Sequence, residues 1–311
     1  MPYDCDRIYE KIVKKFENTN AQNPIDHFLI KEALKKRKEE IYKGSCGSLA
    51  ICAGSPGLTG AACMAADSAL RGGCGLVTLI CAKELEHIFE IKLTEAMTKS
   101  VKSKNGIIKA STFDEILTIL KGKDALLFGP GLTDSKEIKL LLEKIIKNTD
   151  IPLVIDADGL NVLKGNTDIL KKTTEKVILT PHIGEFARLT GYDRDYILEN
   201  QKRLCLEFSK EYNVITVLKS HRTVVSDGKM VYENILGNPG MATGGSGDVL
   251  SGLIASFLAQ GASPLLSALA GVYIHSLAAD MAMEEFGEYS LLPRDVINYI
   301  AYATKETNLR A

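Results

Sequence analysis

Six short apolar runs, at residues 48–53, 75–81, 125–128, 153–155, 177–179 and 214–218, constrain the fold of this chain more than any other feature. A strand with one face in water alternates apolar and polar residues; these runs are nearly continuous, so they predict strands buried on both faces. Helical patterns at 61–70, 83–93 and 135–147 follow the first three runs. Strand, turn, helix and strand again implies an α/β fold: a mostly parallel central sheet covered by helices on both faces. Residues 223–226 and 229–233 read as a hairpin across Asp227-Gly228. Two buried helices are expected to close the chain, split by Gln260-Gly-Ala-Ser-Pro264. No linker or repeat is visible, so residues 26–311 are expected to form one domain, with residues 1–25 a helical extension.

The 311 residues carry 38 basic and 39 acidic side chains. That balance leaves no basic field to hold nucleic acid or an anionic membrane. Residues 249–279 are weakly charged but interrupted, which suits core helices better than a membrane span. The polar start, Met1-Pro-Tyr-Asp-Cys-Asp, does not read as a secretory signal, so a cytoplasmic protein is expected. Seven cysteines, at 5, 46, 52, 63, 74, 81 and 205, include no Cys-x-x-Cys pair and read as reduced structural thiols.

In a parallel sheet, ligands bind beyond the carboxyl ends of the strands. Five loops follow strands here. Ala53-Gly-Ser-Pro-Gly-Leu-Thr-Gly-Ala-Ala62 lacks the Lys-Ser/Thr ending of a P-loop and the GxGxxG spacing of a dinucleotide fold. Phe128-Gly-Pro-Gly-Leu132 offers backbone for close approach to a ligand. Asp156-Ala-Asp-Gly-Leu-Asn161 suits either a metal or hydroxyl contact or a helix cap. In Thr180-Pro-His-Ile-Gly-Glu185, His182 is a donor to a phosphate or carbonyl, or else a structural cap; Glu185 is a candidate for binding magnesium through water. Lys219-Ser-His-Arg-Thr223 places Lys219, Ser220, His221, Arg222 and Thr223 where they suit nucleotide phosphate or ribose, or simply a solvated turn.

The sixth segment is the most informative for chemistry. Residues 237–252 contain six glycines and one carboxylate, Asp248, and run directly into an apolar helix. Bare glycine N–H groups and the positive end of a helix make an anion site. A carboxylate beside bound phosphate repels it, so its best use there is to take a proton from a hydroxyl that attacks phosphorus.

Together, Asn238-Pro-Gly-Met-Ala-Thr-Gly-Gly-Ser-Gly-Asp248, Thr180-Pro-His-Ile-Gly-Glu185, Gly54-Ser-Pro-Gly-Leu-Thr-Gly-Ala61 and Asp156-Ala-Asp-Gly-Leu-Asn161 resemble the NAD(P)H-hydrate dehydratase family, of ribokinase-like fold. The resemblance covers roughly residues 43–302. It implies that hydrated NADH or NADPH, in its S form, is restored at the expense of ADP or ATP, with Mg2+, and that AMP and phosphate leave when ADP is the donor. It also implies a homotetramer. By resemblance, Ala61, Gly131, His182 and Asp248 fall at hydrate-binding positions and Asp248 is the catalytic base. Lys219 to Thr223 and Gly244, Gly245, Ser246 and Gly247 fall at nucleotide and phosphate positions.

The chain departs from the family pattern in three places. Lys219-Ser-His-Arg-Thr223 stands for the usual Lys-Gly-x-x-Thr. His182-Ile-Gly-Glu185 stands for His-Pro-Gly-Glu, and Gly-Gly-Ser-Gly-Asp248 for Gly-Gly-Thr-Gly-Asp. The epimerase half that many relatives carry is expected to be absent from residues 1–42. The alternative enzyme is a ribokinase-like small-molecule kinase, of hydroxyethylthiazole or pyridoxal type, which would release a stable phosphorylated product. A nucleotide-sensing protein without catalysis is a further rival, and the presence of Asp248 argues against it.

Overall fold

Each of the six apolar runs forms a strand in the computed structural model, which describes residues 5–34, 37, 39–173 and 176–310. In chain order the strands are β1 (Ser48–Cys52), β2 (Leu76–Ala82), β3 (Met97–Val101), β4 (Ser103–Lys104), β5 (Ile107–Ile108), β6 (Ala125–Phe128), β7 (Leu153–Ile155), β8 (Val177–Leu179), β9 (Ile215–Leu218), β10 (Val224–Ser226) and β11 (Val231–Glu233). Among the described residues, nine of them make one sheet, ordered β11-β10-β9-β8-β7-β6-β1-β2-β3. From β3 to β9 every neighbouring pair is parallel; β9, β10 and β11 pair antiparallel. Every residue of β1, β6, β7, β8 and β9 is buried, so both faces of the middle of the sheet are covered.

Two strand features escape a search for continuous apolar runs. β3 is an edge strand, Met-Thr-Lys-Ser-Val, with alternating exposure and only Val101 buried. The β4–β5 pair closes over Asn105-Gly106, both with positive φ, a two-residue hairpin signal that lay in the sequence. The chain also closes with three helices rather than two: Ser246–Ala259, Pro264–Ser290 and Pro293–Arg310. Gly287, at φ +70°, kinks the end of the second, and Pro293 opens the third. The third is polar on much of its surface and so lay outside the apolar stretch.

Helix boundaries follow local chemistry. Ser135 caps Lys136–Asn148, accepting from Ile138 N at 3.3 Å, and Ile138, Leu141, Leu142, Ile145 and Ile146 form its buried stripe. Helix Ser246–Ala259 packs on helix Thr59–Arg71 at very close range. A Cβ on Gly252 would lie 2.2 Å from the Ala65 carbonyl oxygen, so only glycine permits this approach. Pro264–Ser290 is long and apolar enough to cross a membrane, yet 89% of its apolar window is buried in the fold. Residues 267–282 are all buried within the chain, while Phe286 and Tyr289 at the end of the same helix are exposed. At the N-terminus, helix Cys5–Glu17 inserts Ile8 and Ile12 into the main core, and Ile25 N donates to Glu233 O at 3.0 Å beside β11.

Candidate active site

The parallel topology carries the loops after β1, β6, β7, β8 and β9 to one edge of the sheet. Glycines let these loops pack directly on each other. A Cβ on Gly131 would lie 2.8 Å from Leu58 O and 3.4 Å from Ala61 Cβ, so the two hydrate-site candidates Gly131 and Ala61 stand together. Asp158 accepts from Thr133 N at 2.8 Å, tying the β7 loop to the β6 loop, whereas the helix cap that the sequence offered is absent: Ala157 stands at the N-cap of Asp158–Asn161 and no side chain caps it. Backbone strain gathers at this anchor. Among the described residues, five non-glycine residues have positive φ; three are asparagines, and the other two, Thr133 at +77° and Ala157 at +50°, flank the Asp158 contact.

Beside these loops lies a charge cluster. Lys219 Nζ is 2.9 Å from Asp156 Oδ1, and Asp156 is 1% exposed. Glu185 and Asp248 face the same amine closely enough to perturb it. Burial alone would push Lys219 down, but Asp156, Glu185 and Asp248 outweigh it and hold the amine above its usual range. The acids move the other way. Burial first, and then the charge of Asp156, push Asp248 up to about 7 against the opposing pull of Lys219. Burial likewise pushes Glu185 up to about 7. Lys219 thus sits inside the cluster rather than in solvent, and a Cβ on Gly247 would lie 3.2 Å from its amine. The absence of a side chain at Gly247 makes that room.

His182 caps helix Ile183–Thr190. Its Nδ1 accepts from Gly184 N at 2.9 Å and Glu185 N at 3.3 Å, while His182 N donates to Glu185 Oε2 at 2.8 Å. Nδ1 is therefore an acceptor, and the neutral ring carries its proton on Nε2, 3.5 Å from Glu185 Oε1. Burial, Lys219 and Arg188 push this imidazole down to about 4, so it stays neutral at physiological pH. His182 is thus a helix cap that also lines a cavity.

Helix Ser246–Ala259 starts from Gly245, whose φ of +104° would strain any residue with a side chain. Asp248 lies in its first turn, and the helix packs over β7, β6 and β1. On one side of this turn is a cavity of about 680 Å³, the size of a small-molecule site. His182, Lys219, Ser220, His221, Thr223, Ser246 and Gly247 line it. Ala61 and Gly131 lie elsewhere on the edge, over β1 and β6, and Asp248, Gly244, Gly245 and Arg222 are not part of the cavity wall. Ser220 Oγ is occupied within its own turn, with Gln201 and Arg222, and Arg222 itself is held 3.1 Å from Glu233.

Sequence reasoning missed two residues on helix Pro264–Ser290. His275 is buried in the cavity wall; burial and then Lys219 push it down to about 4, opposed by a hydrogen bond to the Ser246 backbone. A lone histidine in an apolar helix was the signal. Asp280 accepts from Gly237 N at 3.1 Å and Asn238 Nδ2 at 3.0 Å, fixing the start of the glycine-rich loop. Four buried polar atoms in the cavity's lining residues have no partner within the described protein: Asn234 Oδ1, Asn238 Oδ1, Ser246 Oγ and His275 Nε2. Such a concentration marks a place built around a polar ligand.

Comparison with known proteins agrees with this geometry. Residues 49–302 match the family model described as NAD(P)H-hydrate dehydratase. The chain belongs to the NAD(P)H-hydrate dehydratase family. It is 37% identical over 275 residues to a bifunctional NAD(P)H-hydrate repair enzyme of Moorella thermoacetica, covering 88% of this chain and 52% of that one. It is 34% identical to an ADP-dependent (S)-NAD(P)H-hydrate dehydratase of Neisseria meningitidis, covering 81% and 83%. The chain spans about half the length of the bifunctional relatives it matches. Among solved structures, the ADP/ATP-dependent NAD(P)H-hydrate dehydratase of Bacillus subtilis, co-crystallised with ATP/Mg2+, superimposes with a TM-score of 0.79 at 25% identity, covering 93% of this chain and 99% of that one. The shared architecture is ribokinase-like.

Proposed function

We propose that this dehydratase-family chain restores NADH and NADPH from their S hydrates by phosphorylating the ring hydroxyl and expelling it as phosphate. The observation that carries the reading is Asp248. It is a carboxyl pushed up to about 7, in the first turn of a glycine-led helix whose Ser246 and Gly247 line the 680 Å³ cavity. A general base works best when its pKa lies near the working pH. Hydroxide leaves poorly, so phosphorylation first makes chemical sense. Asp248 takes the hydroxyl proton as the oxygen bonds to the terminal phosphorus of the nucleotide. The phosphoanhydride bond breaks, and ADP as donor leaves as AMP. The ring nitrogen's lone pair then expels phosphate, and loss of a proton from the adjacent ring carbon completes the double bond.

The nucleotide is assigned to the cavity, with its transferring phosphoryl on the N–H groups of Gly244 to Gly247 and Lys219 beside them. His182 Nε2–H and the Ala61–Gly131 pair are assigned to the hydrate. ADP is the proposed donor, following the Neisseria relative's name, with ATP the other candidate. Mg2+ is proposed to arrive on the nucleotide. Among the described residues, no three metal-ligating side chains form a cage. The cluster nevertheless carries three carboxylates against one amine, which suits an ion that keeps most of its water. Glu185 spends one oxygen on His182 N and would act through such water. Bound there, the ion would neutralise charge on the phosphate oxygens. A cytoplasmic homotetramer belongs to the same reading; exposed Ile91 and Met97 are apolar surface that assembly would cover.

The test is recovery of reduced-nicotinamide absorbance from chemically prepared NADHX, with ADP and ATP in separate reactions. Recovery with one nucleotide and none without it supports the dehydratase and names the donor. A protein that binds nucleotide but recovers no NADH would point to the sister-kinase reading and a screen of alcohol substrates.

A further inference from the structure

The helix Cys5–Glu17 lies outside the family match, which starts at residue 49. Two of its lysines, four residues apart and so on one face, reach helix Pro264–Ser290. Lys11 Nζ lies 2.5 Å from Glu284 Oε1, and Lys15 Nζ lies 2.8 Å from Asp280 Oδ2. The two pairs differ in what stands behind them. The Glu284 side chain is 28% exposed, and its pair is a surface contact. The Asp280 side chain is 8% exposed and also holds the loop of the candidate nucleotide site: Oδ2 accepts from Gly237 N and Oδ1 from Asn238 Nδ2. Gly237 and Asn238 both line the cavity. One carboxylate therefore joins the N-terminal helix to the first residues of the glycine-rich segment.

A buried carboxylate needs its charge compensated. The two loop donors are neutral, and Lys15 is the cation in contact. Without it, the Asp280 carboxylate is left with neutral donors alone and draws in water, which loosens its grip on Gly237 and Asn238. The pair matters less for holding helix Cys5–Glu17 in place, because Ile8 and Ile12 already bury themselves in the core.

We propose that Lys15 and Asp280 are positioning residues for the nucleotide site, which makes the N-terminal helix part of that site's scaffold. This rests on the assignment of the cavity to a nucleotide. The test is calorimetric titration of the full chain with ADP and with ATP, alongside the KM for the hydrate. Lys15→Ala is expected to raise the nucleotide Kd about fivefold to tenfold and leave the hydrate KM within about twofold. Lys15→Arg should restore binding. Asp280→Asn should weaken it at least as much as Lys15→Ala, because an amide cannot accept from both loop donors. Lys11→Ala cuts the neighbouring surface pair and should change nothing. Melting curves of each variant show whether it folds. Unchanged nucleotide affinity in a folded Lys15→Ala protein overturns the proposal, as does an equal loss in Lys11→Ala, which would mean only that the helix must dock. A wild-type chain that binds neither nucleotide would instead overturn the assignment of the cavity, and this proposal with it.

Discussion

Two charge clusters meet in the short segment Lys219 to Thr223, and they are built on opposite plans. Lys219 points into a cluster where three carboxylates, Asp156, Glu185 and Asp248, share one amine. Arg222, three residues on, points to Glu233, which it shares with Lys202 at 2.6 Å. Burial raises the carboxyls of Asp248 and Glu185 to about 7, and the charge of Asp156 reinforces it in both. Burial also acts on Glu233, but hydrogen bonds from Lys202 and Arg222 outweigh it and hold that carboxyl below its usual range. The first cluster is poised to change its protonation near neutral pH; the second is fixed in one charge state. Poised groups in a cleft mark chemistry, and fixed ones mark architecture. Glu233 fits the second role, since its backbone also bonds Asn23 and Ile25 at the sheet edge.

The comparison breaks most directly at Asp248. Asp248→Asn keeps the shape and removes the base, and turnover is expected to fall about 1000-fold, within the range for general-base loss. Nucleotide affinity by calorimetry should be unchanged or slightly better, since a repelling charge is gone. Turnover within about tenfold of wild type would remove Asp248 from the role of base. A second large effect belongs to Lys219. Lys219→Met leaves Asp156 buried without its cation and is expected to cost about 3 kcal/mol of unfolding free energy at pH 8. The loss should shrink at pH 5, where Asp248 and Glu185 hold protons and leave less negative charge in the cluster. Urea melts at the two pH values check this, and a loss below about 1 kcal/mol at pH 8 would mean that Lys219 is no more than a surface charge.

The pH dependence sharpens the contrast. Asp248 acts as a base only when ionised, so kcat/KM should rise about tenfold per pH unit up to about 7 and then level. Stability should run the other way. A carboxyl raised from 3.8 in the unfolded chain to about 7 in the folded one favours folding fully below the lower value. That contribution is lost as pH rises through about 7. The same proton is therefore wanted by the fold and unwanted by the reaction. Asp248→Asn should abolish the slope in rate and reduce the slope in stability, the remainder belonging to Glu185, with its stability advantage over wild type growing between pH 4 and 7. A wild-type rate profile flat across that window would separate the raised carboxyl from the rate.

The sheet, its order of polar loops and the glycine-led helix were legible because each rests on local pattern: continuous apolar runs for β1, β6, β7 and β8, and Gly245 followed by an apolar helix. The loops' common edge followed from parallel topology. The partners were not legible. Asp156 meets Lys219 across 63 positions, and Asp280 meets Asn238 across 42, distances at which no periodicity speaks. Asp156 read equally as cap or contact, and only the fold showed it to be a counter-ion, with neighbouring Asp158 as the anchor. Asp280 was hidden by its surroundings, since a single acid in a long apolar helix looks like a tolerated exception. Edge strand β3 was missed because half of its residues face solvent, so no apolar run announces it.

The smallest effect is the most discriminating for the second cluster. The chain's segment Lys219-Ser-His-Arg-Thr223 reads as five candidate nucleotide contacts, yet Arg222 is half exposed, bonded to Glu233 and absent from the cavity wall. An exposed pair of this kind is worth about 0.5 kcal/mol. Lys202 remains on Glu233 when Arg222 is cut, so the buried carboxylate keeps a cation and the large penalty of an orphaned charge does not arise. Arg222→Ala is therefore expected to lower stability by less than about 1 kcal/mol and to leave the ADP dissociation constant within about twofold, in contrast to Lys219→Met. The double variant Lys202→Ala with Arg222→Ala should cost more than the sum of its parts, because only then is Glu233 left bare. If Arg222→Ala alone weakens ADP tenfold while stability holds, the guanidinium leaves Glu233 for the nucleotide on binding, and the segment divides between the clusters only in the ligand-free protein.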